Sequence, residues 1–303
     1  MTRVLGRSID PIIREQCPHI LCLEDDVTSI IRLDAVEDGR PLGPRIPFVA
    51  ESEGVPVAHG DLMARSWMGD ETGRLVDVRW EPGHSEAARL VVEAAIAAAR
   101  PGDVLNAATN AEIHPDPSER VAVFESGGFT LWQEKEGFRW ADEGQDLPVP
   151  QRITARPLSE VGAGRFAAAL AACSADTLDR IDRDAITAMT PSAWAQAFLD
   201  ASQDSTWLLA EEAEGTAVGL VSVGEFDPGV GTITYIAVLP GQRGRGYVDE
   251  LLKLANRTAR ELGFRAMLSD TDVLNTPMQL AFHRNGHSAQ ATAWHKWMHQ
   301  RAV

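Results

Sequence analysis

Two pairs of segments in this chain lie over one another at a single spacing, and that repetition restricts the fold more than any other feature. "EPGHSEAARLVVEAA" (Glu81 to Ala95) shares its layout with "LPGQRGRGYVDELLK" (Leu239 to Lys253), so that Pro82 and Gly83 stand 158 residues before Pro240 and Gly241. At the same spacing "VFESGGF" lies over "AFHRNGH", pairing Phe124 with Phe282 and Gly128 with Gly286, and after one gap Trp140 falls opposite Trp297. A repeat with this period indicates a structural unit built twice. The 303 residues have room for two domains of ordinary size. The Pro- and acid-rich stretch "ADEGQDLPVPQR" (Ala141 to Arg152) reads as a linker. We therefore expect a first domain over 1–145, a linker over 146–152 and a second domain over 153–303.

The second copy shows the element order more clearly. "RFAAALAACSADTLDRIDRDAI" and "PSAWAQAFLDASQ" carry helical alanine-rich faces with polar stops. "TWLLAEEAEGTAVGLVSVGEF" and "GVGTITYIAVLP" alternate or run apolar around glycine turns and read as strands. A helix from about Gly246 to Gly263 follows, with Leu251, Leu252, Ala255 and Leu262 on one stripe. Then come a short buried strand "FRAMLSDTD", a helix "TPMQLAFHRNG" closed by Gly286, and a final strand "AQATAWHKWMH". The expected class is α/β or α+β, each copy a mixed sheet flanked by helices.

Composition narrows the partners. Hydrophobic residues at 44% and charged residues at 24% suit a globular protein. No apolar run reaches the ~18 residues of a membrane span, and the opening "MTRVLGRSIDPIIREQ" lacks the apolar core of a secretory signal. Cys17, Cys22 and Cys173 show no metal-ligand spacing and read as reduced thiols of a cytoplasmic protein. No metal is expected; His59, His84 and His114 form no ligand pattern. The net charge of −16 argues against nucleic-acid binding, which rests on Lys and Arg neutralising phosphates. Residues 1–150 hold 27 acidic against 14 basic residues, and 151–303 hold 17 against 14. An anionic ligand therefore finds the second copy less hostile, while the acidic surface suits a cationic one.

The segment "QRGRGYV" carries the chemistry. Glycines let the backbone turn its N–H groups inward without a side chain in the way. The helix that follows exposes its unpaired first-turn N–H groups and its positive dipole end. Together they form an anion cradle of the kind that holds phosphates, and Arg243 and Arg245 can add charge-assisted bonds. Standing alone, the segment would equally suit a glycine turn with exposed arginines. The matching turn of the first copy, "HSEAAR", has no glycine and places Glu86 where an anion would lie, so the first domain is expected to bind no such ligand.

Strand, Arg243-Gly244-Arg245-Gly246-Tyr247-Val248, long helix, strand "AMLSD", helix "NTPMQLAFHRNG" and terminal strand together resemble the Gcn5-related N-acetyltransferase (GNAT) superfamily over roughly 153–300. The doubled arrangement is similar to that of mycothiol synthase. The loop follows the family pattern Gln/Arg-x-x-Gly-x-Gly/Ala except at its last position, where Val248 replaces a small residue. The resemblance implies two tandem GNAT-like domains, each with a mostly antiparallel sheet, the second binding acetyl-CoA as co-substrate. It implies that Ile236, Ala237 and Val238 pair with the pantetheine arm at a splayed strand. The amides of Arg243, Gly244, Arg245, Gly246, Tyr247 and Val248 would hold the pyrophosphate. Asn275 would touch the cofactor arm, although it also reads as a helix N-cap ahead of Pro277.

Acetyl transfer to an amine needs an unprotonated nucleophile, a stabilised oxyanion and a proton for the leaving thiolate. The family often places a Tyr seven residues after that Asn; here the position is Phe282, which cannot donate a proton and reads as core or as a wall against the cofactor. Tyr235 is the candidate acid, with a core tyrosine as its alternative reading, and His283 reads as a surface residue. The strand "TITYIAV" has no carboxylate, which leaves Glu225, Asp227, Asp270 and Asp272 to take a proton through water, or to act as loop formers. Trp294 and Trp297 read as opposite faces of a strand, and Trp67, Trp80 or Trp207 could floor an acceptor site. The expected activity is acetylation of a primary amine on a small cationic molecule by direct attack in a ternary complex, with a homodimer left open. Acetylation of a protein or peptide, and a non-catalytic acyl-CoA sensor, remain open alternatives.

Overall fold

The computed structural model describes residues 20–22, 28–32, 36–37, 40–41, 45–64, 73–109 and 117–300. They fall into two compact units: one holds the described residues up to Trp132 together with Trp294–Gln300, the other Gln133–Ala293. The expected linker, 146–152, lies inside the second unit. Trp67, Cys17 and His114 lie outside the described residues, as does the side chain of Trp294.

The first unit is a sheet ordered β1 (Ile20–Cys22), β2 (Thr28–Arg32), β5 (Arg45–Ser52), β6 (Val55–Ala64), β7 (Gly73–Trp80), β8 (Val104–Thr109) and β15 (Ser288–Gln300). β3 (Val36–Glu37) and β4 (Arg40–Pro41) pair separately. All pairs in the sheet are antiparallel except β7 with β8. Helix α1 (Ser85–Ala98) buries a stripe of small residues, Ala87, Ala88, Val91, Val92 and Ala95. It sits so close to the sheet that a Cβ on Gly60 would lie 2.7 Å from Val91. α2 (Pro117–Ser126) adds Val123 and Phe124 to the same core.

The second unit orders its sheet β9 (Thr130–Ala141), β14 (Ala266–Asp272), β13 (Val230–Val238), β12 (Ala217–Asp227), β11 (Thr206–Glu211) and β10 (Thr154–Pro157), and only β13 with β14 is parallel. Along β13, Ile236 packs into the cluster of α7 (Tyr247–Glu261) and α8 (Thr276–Arg284), while its neighbour Tyr235 packs against Trp194 and Phe198 of α6 (Pro191–Ala201). Successive strand residues point to opposite faces. α7 and α8 therefore cover one face, and α6 with α4 (Ala163–Cys173) the other.

The run Arg165–Ile186, expected as one helix, is two. α4 ends at Cys173, Asp176 takes a left-handed φ of 54°, and Asp179 caps α5 (Arg180–Ala188) by accepting from the amides of Ile181 and Asp182. A short α3 (Leu158–Val161) precedes them. The stretch Thr206–Phe226, read as strand around a glycine turn, forms β11 and β12 joined by a turn at Glu212–Thr216.

At two pairs of positions matched in the sequence the backbone makes the same bonds. The strand before each conserved Pro-Gly ends on the same bond, Glu81 N–H to Val57 O and Leu239 N–H to Val218 O, both 2.9 Å. Each later helix closes on a left-handed glycine, Gly128 or Gly286, with Phe129 N–H bonded to Phe124 O and His287 N–H to Phe282 O at 3.0 Å. The final strands are exchanged. β9, which ends the first half of the sequence, pairs with β14 from Lys135↔Asp272 to Ala141↔Ala266. β15, from the second half, pairs with β8 from His295↔Thr109 to Gln300↔Val104.

The stretch Asp142–Ile153 has no helix or strand, yet it is bound along α7. Arg260 grips both carboxylate oxygens of Asp142 at 2.8 and 2.5 Å and the carbonyl of Gln145 at 2.8 Å. Glu250, held by Lys253 at 2.6 Å, accepts the amides of Gln151 (2.6 Å) and Arg152 (3.2 Å). These bonds hold the carboxyl of Glu250 below its ordinary range against the opposing effect of burial, and the Arg260 bonds do the same for Asp142.

Candidate active site

β13 and β14 run together for only three register pairs, Val230↔Ala266, Gly231↔Met267 and Thr232↔Leu268, and then part. At the parting Ile233 N–H turns to the Ser269 hydroxyl at 3.4 Å. β13 stays paired with β12 as far as Val238↔Gly219, and β14 stays with β9 as far as Asp272↔Lys135. A bulge helps divert β13: the register jumps from Val223↔Ile233 to Ser222↔Tyr235, which leaves Thr234 as the extra residue. Bulges bend the strand that carries them. Ile236, Ala237 and Val238 thus lie where β13 has lost its strand partner on one side, and they are half-buried although the facing β12 residues are buried.

Past Val238 the chain makes a 3₁₀ turn, Pro240–Gln242, and a loop that ends at α7. Gly244 and Gly246 adopt φ of +75° and +78°, a region costly for residues with a Cβ. A Cβ on Gly244 would meet nothing within 4 Å, so backbone conformation, not crowding, calls for glycine there. The amides of Gly244, Arg245, Gly246, Tyr247 and Val248 have no acceptor among the described residues. Five free donors at the positive end of a 15-residue helix suit an anion with several oxygens.

Three side chains hold this loop. Arg243, expected at the anion, is folded back onto the chain while still exposed: its guanidinium donates to the carbonyls of Val238 (3.1 Å), Cys173 (2.9 Å), Ala175 (2.8 Å) and Asp176 (3.4 Å). It ties the end of β13 to the exposed carbonyls after α4. Tyr247 is buried with its hydroxyl on Glu212. Arg152 donates to Arg245 O at 2.6 Å and lies 4.2 Å over the Tyr247 ring. Sequence reasoning missed Arg152; the only sign of it was a basic residue closing an otherwise acidic linker.

Among the described residues of the first unit, the position that matches this loop has none. α1 begins at Ser85, immediately after Pro82, Gly83 and His84, whereas α7 begins four residues later relative to its own Pro-Gly. Glu86, read from sequence as lying in the loop, is in the first helical turn and pairs with Arg89. The pairing lowers the Glu86 carboxyl from its ordinary value.

The remaining expected site residues scatter. Asn275 occupies the N-cap position of α8, but its side chain does not cap; it donates to the Thr271 hydroxyl at 3.1 Å. Phe282 is buried, with its ring 4.6 Å from Phe138, a core contact. His283 is exposed against the edge of Phe138. Glu225 lies opposite Gly231, at the end where β13 and β14 are still together, and accepts Gly229 N–H at 3.4 Å as a hairpin former. Asp272 is buried and bonded to Leu274 N–H (2.9 Å) and Gln133 (3.1 Å). Asp270 pairs with Lys135 at 2.7 Å.

Tyr235 lies just past the parting, among Trp194, Phe198 and Trp207 with ring centroids 5.4–6.1 Å away. Burial, then the nearby Asp182, Cys173 and Asp179, raise its hydroxyl well above the ordinary tyrosine range. It is therefore a phenol that keeps its proton. Cys173, read from sequence as a reduced thiol, approaches Ala237 O with its sulfur at 3.9 Å. Burial pushes its thiol up to about 12, so it is no thiolate nucleophile at neutral pH. Among the described residues no group of His, Cys, Asp and Glu could hold a metal, and no helix is long and apolar enough to cross a membrane.

Residues 175–287, which include the parting strands, the glycine loop and the start of α7, match the family model for the acetyltransferase (GNAT) family. The matched residues all lie within the second unit. Among solved structures, the chain resembles a GCN5-related N-acetyltransferase from Sphaerobacter thermophilus at 19% identity and a TM-score of 0.58, covering 88% of this chain and 84% of that one. It also resembles a tandem GNAT protein from the clavulanic acid biosynthesis pathway, solved without AcCoA (16% identity, TM-score 0.55, 86% and 83% covered). A third is a GCN5-related N-acetyltransferase from Kribbella flavida (18%, 0.53, 80% and 86%). At these identities the likeness is one of fold. No curated protein matches the chain.

Proposed function

We propose that this protein is an acetyl-CoA-dependent N-acetyltransferase built from two copies of one fold, with the second copy active. The observation that carries the reading is the set of five unpartnered amides, Gly244 to Val248, beside the gap between β13 and β14. These residues suit a diphosphate at the loop, and the unpaired edge of Ile236–Val238 suits an extended amide-bearing arm along β13. Bound there, acetyl-CoA would supply an activated acyl group. The chain's own part is to align it with an amine, exclude water and manage protons. The first copy, which lacks the loop, binds no CoA in this reading and supports the fold.

The acceptor is a primary amine on a small cationic molecule, which attacks directly in a ternary complex. The protonated thiol of Cys173 argues against an acyl-cysteine route, and the carboxylates Asp179, Asp182, Asp270 and Asp272 on the α5 face argue for a cation. Calorimetry with acetyl-CoA tests the first half of the reading: wild type should bind, and Gly246→Glu should not. Thiol release with an amine panel tests the second half. Binding without release for any amine would favour a sensor, and preference for peptides would favour a protein substrate.

A further inference from the structure

On the α5 face of the second unit, four carboxylates gather around one ammonium. Lys135 of β9 reaches Asp270 at 2.7 Å and Asp179 at 3.4 Å. Gln133 gives its amide N–H groups to Asp272 (3.1 Å) and Asp179 (3.4 Å). Asp182, in the first turn of α5, is the exception: it is 9% exposed, and its carboxylate meets no donor among the described residues. Gln133 is 3% exposed, and its Oε1 accepts no hydrogen bond. A fully buried acceptor without a donor, Gln133 Oε1, and a largely buried carboxylate without one, Asp182, in a cluster of formal charge −3 (four carboxylates against Lys135), lack the same complement. A primary ammonium supplies it, with three N–H donors and a positive charge.

The cluster stands at the gap. Asp270 and Asp272 lie on β14 beyond its last pair with β13, and Tyr235 lies on β13 beyond the same point. Of all charged groups, Asp182 acts most strongly on the Tyr235 hydroxyl. Resting on the acetyltransferase reading, the geometry points to this cluster as the acceptor-amine site, with Asp182 taking the proton from the entering ammonium and Gln133 Oε1 anchoring a remaining N–H.

The step balances. One ammonium proton passes to Asp182 and frees the nitrogen lone pair. The nitrogen bonds to the thioester carbonyl carbon as the carbon–sulfur bond breaks. The second nitrogen proton goes to the departing sulfur, and Asp182 later returns its proton to water. The groups facing Asp182 are Asp179 at the cap of its own helix, Lys135 from β9 and Tyr235 from β13; Asp270 and Asp272 stand behind Lys135 and Gln133, and Cys173 and Arg243 act on Tyr235. Burial and then Asp179 push the Asp182 carboxyl up to about 7, against the pull of Lys135. A base that titrates there is matched to work at neutral pH.

The test compares wild type with Asp182→Asn, using 1,4-diaminobutane as the probe amine. Calorimetry with acetyl-CoA should give the same affinity for both; no binding by wild type would overturn the acetyltransferase reading itself. The variant's kcat should fall roughly 10²-fold or more and lose the limb that rises through neutral pH. A readout free of turnover is the carboxyl ¹³C titration of Asp182 in protein without acetyl-CoA, which the diamine should displace to lower pH. If wild type binds acetyl-CoA, and the variant keeps both rate and limb or the diamine leaves the titration unmoved, the assignment of Asp182 falls while the acetyltransferase reading stands.

Discussion

Trp140 and Trp297 close the two halves of the sequence, and each is buried in the compact unit built mainly by the other half. Trp140, 2% exposed, lies with Val218, Leu251 and Met267. Trp297, 1% exposed, lies 5.6 Å from Phe124 and donates to the Thr109 hydroxyl at 3.0 Å. Trp297→Ala should therefore destabilise the unit around β8, although its position lies far along the chain, and Trp140→Ala the unit around β14. Each substitution removes a large buried ring, worth about 3–5 kcal/mol. Hydrogen exchange should show protection lost over Val104–Thr109 in the first variant and over Ala266–Asp272 in the second.

The anion loop makes a graded prediction. Gly244→Ala and Gly246→Ala put a Cβ where φ is positive, at a cost of about 1–2 kcal/mol each, and should weaken acetyl-CoA binding. Gly241→Ala meets no atom within 4 Å and no such φ, and should leave binding unchanged in the same calorimetric series.

Arg243 is a structural clamp whose removal should be costly. Arg243→Ala leaves four carbonyls without their charged donor, and hydrogen bonds to charged groups are worth about 1.5–3 kcal/mol. The expected loss of stability exceeds that of Arg245→Ala, and Arg243→Lys should rescue little, since one ammonium cannot span carbonyls fanned from Val238 to Asp176. Urea unfolding of the three variants checks the order.

Cys173→Ala should retain acetyl transfer, because a thiol pushed up to about 12 forms no acyl-enzyme. Iodoacetamide should label Cys173 at pH 8 only after unfolding, a contrast that mass spectrometry reads directly.

Two buried groups give stability opposite pH slopes. His287 bonds Asn256 at 3.0 Å, and burial lowers its pKa from 6.5 to about 4. Its contribution is full above pH 6.5 and is lost as pH falls towards 4, by about 3 kcal/mol. Asp182 runs the other way. Raised from 3.8 to about 7, it lets the unfolded chain shed a proton that the fold retains, so stability declines as pH rises between those values. Asp182→Asn should therefore gain on wild type across that window and hold the gain above it, by roughly 1 kcal/mol or more, as urea midpoints against pH would show.

The parts of the site that were legible in the sequence are those encoded locally. Glycines beside a helix start announced the loop, because positive φ and free amides are properties of a few adjacent residues. The Arg243 side chain could not be placed from sequence because three of its four acceptors lie 67–70 positions away. Asp182 was hidden because Arg165–Ile186 read as one helix; only the break at Asp176 makes Asp179 a cap and sets Asp182 in a first turn. Glu225 was attractive as a strand-end acid, but the strands part at the opposite end. The repeat showed which residues form each last strand, and it could not show which sheet that strand completes, since identical patterning suits either.

The exchanged strands impose an order on synthesis. The amino-terminal sheet holds an empty berth beside β8 until the ribosome has passed residue 300, long after its other strands have emerged. At about 5–20 residues per second, that wait lasts roughly ten to forty seconds. Throughout it a bare β8 edge must be shielded from wrong pairing, whereas the carboxy-terminal sheet already has β9 waiting when β14 appears.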